Sequence, residues 1–147
     1  MAVTDYNALT DDLQALLAAN VVDGNGNSPD AVYIEANDIQ QQLMKHRLIN
    51  IRLTETDDNI RVGQSYYTTI TYEIDVAGYD LSRFSTAAII RNDLVQSIKT
   101  VLRANPRFSG ENDSTRAGDT TFGDADAERG FIAAAIVTVE IDRYENA

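Results

Sequence analysis

The stretch LINIRLTETDDNIRVGQSYYTTITYEIDVAGYD, residues 48–80, alternates apolar and polar side chains on both sides of a turn-rich segment, residues 56–64. Before that segment, single polar residues separate Ile49, Ile51 and Leu53. After it, the apolar positions of the same alternation are Ile70, Tyr72, Ile74 and Val76. A period of two residues predicts a β-hairpin with one buried face and one polar face. Such strands need other elements to cover their apolar face, so the flanking sequence decides the fold class.

A helix is predicted before the hairpin, from about Thr4 to Asn20. Thr4 is the expected N-cap, and Asp5 lies in the first turn, where a negative charge is favourable to the helix dipole. Apolar residues at helical spacing share one face of this helix, namely Tyr6, Leu9, Leu13, Leu16 and Leu17. This face is suited to packing on the apolar side of the hairpin.

A second helix is predicted within residues 80–106, with Ser82 or Ser85 as its cap. Its apolar stripe consists of Phe84, Ala87, Ile90, Leu94, Ile98, Val101 and Leu102. Two residues depart from this pattern. Ile89 falls on the polar side of the helix, and Arg91 falls inside the apolar stripe.

The remaining segments are shorter or less regular. Residues 23–30 are a dense turn signal, residues 31–35 (AVYIE) predict a short strand, and residues 38–47 predict a short helix. After the second helix, about residues 106–130 contain the glycine-rich polar run RFSGENDSTRAGDTTFGDADAERG and predict a long flexible loop. The alternating residues 131–144 predict the last strand.

We therefore expect one α+β domain over residues 1–147, with both helices packed on one face of a largely antiparallel sheet. The opposite sheet face is predicted to be polar and uncovered, and it comprises Asn50, Arg52, Thr54, Thr69, Thr71, Glu73, Asp75, Thr138, Glu140 and Asp142. Four acids against one base make this face negative. Its acids Glu73, Asp75, Glu140 and Asp142 are the candidate residues of a lumen or docking surface.

Composition limits the function. The formal net charge is −11 over 147 residues, which argues against a surface that grips nucleic acid, because phosphate binding relies on clustered Lys and Arg. The sequence has no cysteine, so disulfides, thiolate metal sites and a cysteine nucleophile are excluded. The N-terminus lacks the pattern of a secretory signal and no apolar run is long enough to span a membrane, so we expect a cytosolic product.

Motifs for catalysis or for a cofactor are missing. The single histidine, His46, has no sequence neighbour that suggests a catalytic pair. Residues 23–35 begin like a calcium loop, but Ser28 takes the place of the required glycine and Ile34 that of the closing glutamate. Acidic residues also recur at Asp124, Asp126 and Glu128, a pattern typical of a solvated surface. We expect no catalytic residue, no cofactor and no metal site.

The long loop carries aromatic and arginine side chains that are suited to anchoring a partner surface. Together with the two irregular residues of the second helix, they predict an interface between subunits or with another protein. The candidate interface residues are Ile89, Arg91, Arg107, Phe108, Arg116, Phe122 and Arg129.

The order, length and texture of these elements resemble the tail-terminator (tail completion) proteins of long-tailed bacteriophages. The resemblance covers the helix YNALTDDLQALLAAN, the hairpin, the helix STAAIIRNDLVQSIKTVL, the polar loop and the strand AAAIVTVEID. That family consists of small α/β proteins that form a hexameric ring, which caps the tail tube beneath the head-to-tail connector.

The resemblance implies a non-enzymatic structural protein of the virion tail or neck, made in the host cytoplasm. Its implied partners are further copies of itself in a homohexamer, tail-tube proteins and connector or neck proteins, without a membrane. DNA would pass through an acidic bore without specific binding. Three other readings remain open at this stage: another neck or head-completion protein, a small enzyme that uses carboxylates, and an acidic dimer outside the virion.

Overall fold

The computed structural model describes residues 3–36, 46–63, 65–125, 127 and 129–146, without the side chains of residues 59–62 and 146. In chain order the elements are α1 (Tyr6–Asn20), β1 (Ala31–Ile34), β2 (Arg47–Val62), β3 (Ser65–Asp80), α2 (Phe84–Ala104), β4 (Ser114–Ala125) and β5 (Phe131–Asn146). The short helix predicted at residues 38–47 falls largely outside the described residues, and Arg47 begins β2.

The five strands form one mixed sheet in the order β1-β2-β3-β5-β4. β1 runs parallel to β2, whereas the other neighbouring pairs are antiparallel. Buried residues of both helices pack against the same side of this sheet, which we call the inner face. The predicted α+β fold is therefore confirmed, and its largely antiparallel sheet carries both helices on one face.

The core lies between the helices and the central strands. The largest of its fully buried side chains is Tyr72 of β3, whose hydroxyl forms a hydrogen bond of 2.8 Å with Thr10 Oγ1 of α1. A buried hydroxyl needs such a partner because desolvating an unpaired polar group is costly. The apolar core residues that surround it include Leu13, Leu17, Ile49, Ile51, Ile74, Leu94, Ile98, Val137, Val139 and Ile141.

The segment predicted to be a long loop, about residues 106–130, instead contains the strand β4, so this part of the prediction is wrong. β4 pairs with β5 alone, at the edge of the sheet. Its register shifts between Ala117 and Thr120, a bulge that contains Gly118 and Asp119. Such a bulge breaks the two-residue period from which a strand is recognised in a sequence.

The hairpin is also longer than predicted. Residues 56–62, assigned to a turn, continue β2, and β3 resumes at Ser65. Gly63 has a φ of +62° at this tight turn, a conformation that glycine adopts without strain. Two register shifts, one of them between Leu53 and Glu55, interrupt the alternation in β2 and make its distal half resemble a loop.

Both predicted helix caps are wrong. The N-cap of α1 is Asp5, whose carboxylate accepts a hydrogen bond of 3.1 Å from the backbone N–H of Ala8. The N-cap of α2 is Arg83, which makes no side-chain cap. Asp80 orders the turn before the helix, because its carboxylate accepts hydrogen bonds from the N–H groups of Ser82 and Arg83.

Thr4 has a different role, in a buried polar cluster that closes one end of the core. Its backbone N–H donates to the Glu145 carboxylate at 2.6 Å, and its hydroxyl accepts from Arg143 at 3.2 Å. Arg143 also forms a buried ion pair with Asp113. Burial raises the pKa of Glu145, but the hydrogen bonds from Thr4 outweigh this effect and leave the pKa below its usual value. The cluster joins the segment before α1, the turn after α2 and the end of β5.

Candidate functional site

The first candidate surface is the side of the sheet that faces away from the helices, which we call the outer face. Strand pairing places the four predicted acids on it: Asn50 of β2 lies opposite Asp75, while Glu73 lies opposite Thr138. On β5, Glu140 pairs with Thr71 and Asp142 with Thr69. The two-residue alternation in the sequence predicts that these residues share one face, and the strand pairing agrees with it.

Two arginines neutralise part of this charge. Arg52 forms ion pairs with Glu73 at 2.8 Å and with Asp75 at 2.7 Å. Arg116 forms ion pairs with Glu140 at 3.0 Å and with Asp142. The expected balance of four acids against one base is therefore wrong, because Arg116 was assigned to a loop and lies instead on the outer face of β4. The four carboxylates and two guanidinium groups leave the cluster with two negative charges.

Asp142 is the most enclosed of these acids, with 6% of the residue exposed. Its carboxylate accepts a hydrogen bond of 2.7 Å from Thr69 Oγ1 in addition to the contact from Arg116. Burial raises the pKa of the neighbouring Tyr67 hydroxyl, and its hydrogen bond to Asp142 acts in the same direction. The Tyr67 ring lies edge-on to Tyr144, with ring centroids 5.2 Å apart. This end of the outer face is thus an ordered polar and aromatic surface.

The second candidate surface is a groove between α2 and the edge strand β4, which we call the α2–β4 groove. Its main part has a volume of about 430 Å³ and is lined by Arg91, Asn92, Val95, Gln96, Lys99 and Phe122. An adjoining part reaches Phe84, Gly123 and Asp124. The Arg91 guanidinium lies 5.1 Å from the centroid of the Phe122 ring and donates a hydrogen bond of 2.9 Å to the Gly123 carbonyl. Phe122 remains 53% exposed.

The predicted interface residues do not form one cluster. Arg91 and Phe122 meet in the α2–β4 groove, and Ile89, 60% exposed, lies three and seven residues before the groove residues Asn92 and Gln96 on the same helix. Arg116 belongs to the outer face instead.

Three further predicted interface residues lie outside both surfaces. Phe108 packs against the core of its own chain, so burial within the subunit accounts for this aromatic residue. Arg107 and Arg129 are exposed on the connecting segments. Their assignment to an interface stays a prediction.

The groove residues that the sequence reasoning missed include Phe84, Val95 and Lys99. Phe84 was assigned to the buried stripe, yet it is 40% exposed. Helical spacing did contain a signal, because Arg91, Val95 and Lys99 follow one another at intervals of four residues and therefore share a row on α2. This row does not suggest a groove in the sequence, because β4, the opposite wall of the groove, is predicted to be a loop.

In the segment that begins like a calcium loop, residues 23–35, the first carboxylate, Asp23, forms an ion pair with Arg47. Asp23 accepts a hydrogen bond of 2.6 Å from Arg47 Nε and two of 2.9 Å from the backbone N–H groups of Asn25 and Asn27. Among the described residues, no three metal-ligating side chains converge. Of the acidic run at residues 124–128, Asp126 and Glu128 lie outside the described residues. Within the described ranges, neither helix combines the length and the apolar character that a membrane span requires.

Comparison with known proteins shows a likeness at the level of the fold. No protein-family model matches the chain, and no curated protein sequence matches it. Among solved structures, the chain is similar to a chain of the PVC sheath/tube terminator, part of an extracellular contractile injection system solved by cryo-EM in its extended state. The TM-score is 0.51 at 10% identity, and the match covers 97% of this chain but 58% of that chain. The two chains share a fold over nearly the whole of the shorter one.

Proposed function

We propose that this chain is a structural terminator of a phage-type or phage-like tail, a subunit of a ring that caps the tail tube. The observation that carries the proposal is the fold match to a sheath/tube terminator over 97% of the chain. The sequence-level resemblance to phage tail terminators was drawn from helix order and strand patterning, and it points to the same class of protein. The ring is a homohexamer, has no enzymatic activity and belongs to the tail or neck of the particle.

The outer face supplies a surface that suits such a ring. Its two arginines form ion pairs with the four carboxylates across four strands, so the face is ordered and slightly acidic. The chain as a whole carries a formal charge of −11. A lumen of this sign repels phosphate, and DNA slides through it without being retained. Tail-tube and connector proteins contact the remaining surfaces of the ring.

Assembly on the tube tests this proposal. We expect native mass spectrometry to show a hexamer of the purified chain, alone or once a tail-tube protein from the same genome is added. In electron micrographs of tubes assembled with the chain, we expect a ring at one end, and fewer tubes that continue to lengthen. Tubes assembled without the chain are the control. A chain that remains monomeric at high concentration with tube protein present, and leaves tube ends bare, contradicts the proposal.

A further inference from the structure

The α2–β4 groove carries positive charge that the subunit itself leaves unpaired. Among the described residues, Arg91 and Lys99 form no ion pair. Arg91 instead donates to the Asn92 side chain and to the Gly123 carbonyl. The chain has 23 acidic residues against 12 basic ones, so a second copy offers many carboxylates to these two side chains. Asp124 lines the adjoining part of the groove, so the charged residues that line the whole groove are two bases and one acid.

The groove also offers features of a contact surface between proteins. Phe122 is held by Arg91 and is nevertheless half exposed, and Phe84 contributes a second exposed ring. Aromatic side chains and arginines are enriched at the energetically important positions of interfaces. β4 is the last strand of the sheet, and no described strand pairs with its free edge. Free edges of this length are usually covered in natural proteins.

The opposite edge of the same subunit is acidic and therefore complements the basic side chains of the α2–β4 groove. α1 contains no basic residue, and its Asp11 and Asp12 are exposed. Asp11 lines a second groove, of about 380 Å³, together with Glu35 after β1. The other lining residues are Tyr6, Asn7, Thr10, Ile34 and Leu53. We call this surface, with the adjacent Asp12, the α1 edge.

We propose that the α2–β4 groove of one copy binds the α1 edge of a second copy, with Arg91 and Lys99 facing Asp11 and Asp12. This proposal rests on the proposed ring function and assigns the surfaces that build it. Charge complementarity selects a second copy as the occupant, because the acidic partner that the groove requires lies on the same chain.

The positions of the two surfaces determine the symmetry of the contact. β1 and β4 are the two ends of the sheet, four strand spacings or about 19 Å apart. Different surfaces meet in such a contact, so it is heterologous and each copy retains one free groove and one free edge. Repeated heterologous contacts close into a ring when the rotation per subunit permits, whereas a two-fold dimer would leave no free surface of this kind.

Charge reversal on each surface tests the proposal. We expect R91E/K99E and D11K/D12K each to raise the concentration needed for assembly at least ~10-fold, because like charges then face each other across the contact. Mixing the two variants is expected to restore assembly, since each reversed surface meets its complement on the other variant. Native mass spectrometry of the mixture then shows rings in which the two variants are present in equal numbers.

Matched controls change the same net charge elsewhere on the subunit. R83E/R107E is the control for the groove variant, and E55K/E111K is the control for the edge variant; all four residues are exposed. At 0.15 M salt, where the general repulsion between copies is nearly screened, we expect both controls to assemble like the unaltered chain, and circular dichroism to show folded protein for every variant.

The outcomes separate this proposal from the proposed function. The groove contact is wrong, and the terminator function stands, if the unaltered chain forms rings and both reversed variants also assemble normally. The same conclusion follows if the unaltered chain forms rings but the mixture of the two variants does not recover assembly. If the unaltered chain forms two-fold dimers that the variants disrupt, the surfaces are right and the heterologous geometry is wrong. If the unaltered chain never self-associates, even with tube protein, both proposals fail.

Discussion

At the scale of single residues, Asp23 shows how one buried carboxylate joins two segments of the chain. It lies in the turn after α1, it accepts from Arg47 at the start of β2, and it orders Asn25 and Asn27 within its own turn. Burial raises the pKa of Asp23, but the hydrogen bonds from Arg47, Asn27 and Asn25 outweigh it and lower the pKa from 3.8 to about 2. The charged form is therefore favoured by folding.

This pKa gives a defined pH dependence. Because the folded pKa lies below the unfolded value, the contribution of Asp23 is fully present above pH 3.8 and is lost as the pH falls towards about 2. We expect D23N to lower the free energy of unfolding by about 1 kcal/mol at pH 7, after allowance for solvent screening. The difference from the unaltered chain should shrink between pH 5 and pH 2.

Urea unfolding across this pH range measures the effect. D119N is the matched control, because Asp119 is exposed on β4 and has no hydrogen-bond partner among the described residues. A stability difference for D23N that stays constant from pH 5 to pH 2 would contradict the role assigned to the charge.

At the scale of elements, the contact of α2 with β3 depends on a glycine. A β-carbon added to Gly78 would lie 2.3 Å from the carbonyl oxygen of Ala87 and 2.8 Å from the backbone nitrogen of Arg91. Both atoms belong to the α2 backbone, so relief requires the helix to move away from the sheet. We expect G78A to destabilise the fold by about 2–3 kcal/mol, as overpacked cores commonly are.

The matched control for this substitution is G123A on β4. No atom lies within 4 Å of a β-carbon built there, so its stability should change by at most about 0.5 kcal/mol. Urea midpoints of the two variants provide the comparison. Equal midpoints for G78A and the unaltered chain would show that α2 does not approach β3 so closely.

The elements also show what the sequence could and could not predict. α1, α2, the hairpin and β5 follow from periodicity, because each buries one regular face against the core. β4 was missed because it pairs on one side only and its bulge at Gly118 and Asp119 shifts the alternation. That single omission hid two features of the candidate sites: the second arginine of the outer face, Arg116, and the outer wall of the α2–β4 groove. Local sequence patterns do not show which residues of separate elements come into contact.

At the scale of the whole molecule, the charge of the subunit opposes its own assembly. Two copies with a formal charge of −11 each, about 30 Å apart, repel by roughly 17 kcal/mol in water without salt. Screening reduces this to about 6 kcal/mol at 0.01 M salt and to below 1 kcal/mol at 0.1 M. The ion pairs proposed between groove and edge contribute at most about 1 kcal/mol each. At low salt the general repulsion is therefore the larger effect.

We accordingly expect association of the unaltered chain to strengthen between 0.01 and 0.1 M salt, although oppositely charged groups meet at the proposed contact. Above 0.1 M the repulsion is nearly gone, and further salt should weaken assembly slightly by screening the ion pairs themselves. Sedimentation velocity at fixed protein concentration and increasing salt measures both the expected rise in association and its expected slight fall. The variant E55Q/E111Q, which removes two exposed charges per copy away from both surfaces, should reach full assembly at a lower salt concentration. Association that falls steadily from 0.01 M upward would mean that specific charge pairs dominate, and that the net charge of the subunit has little influence on how copies meet.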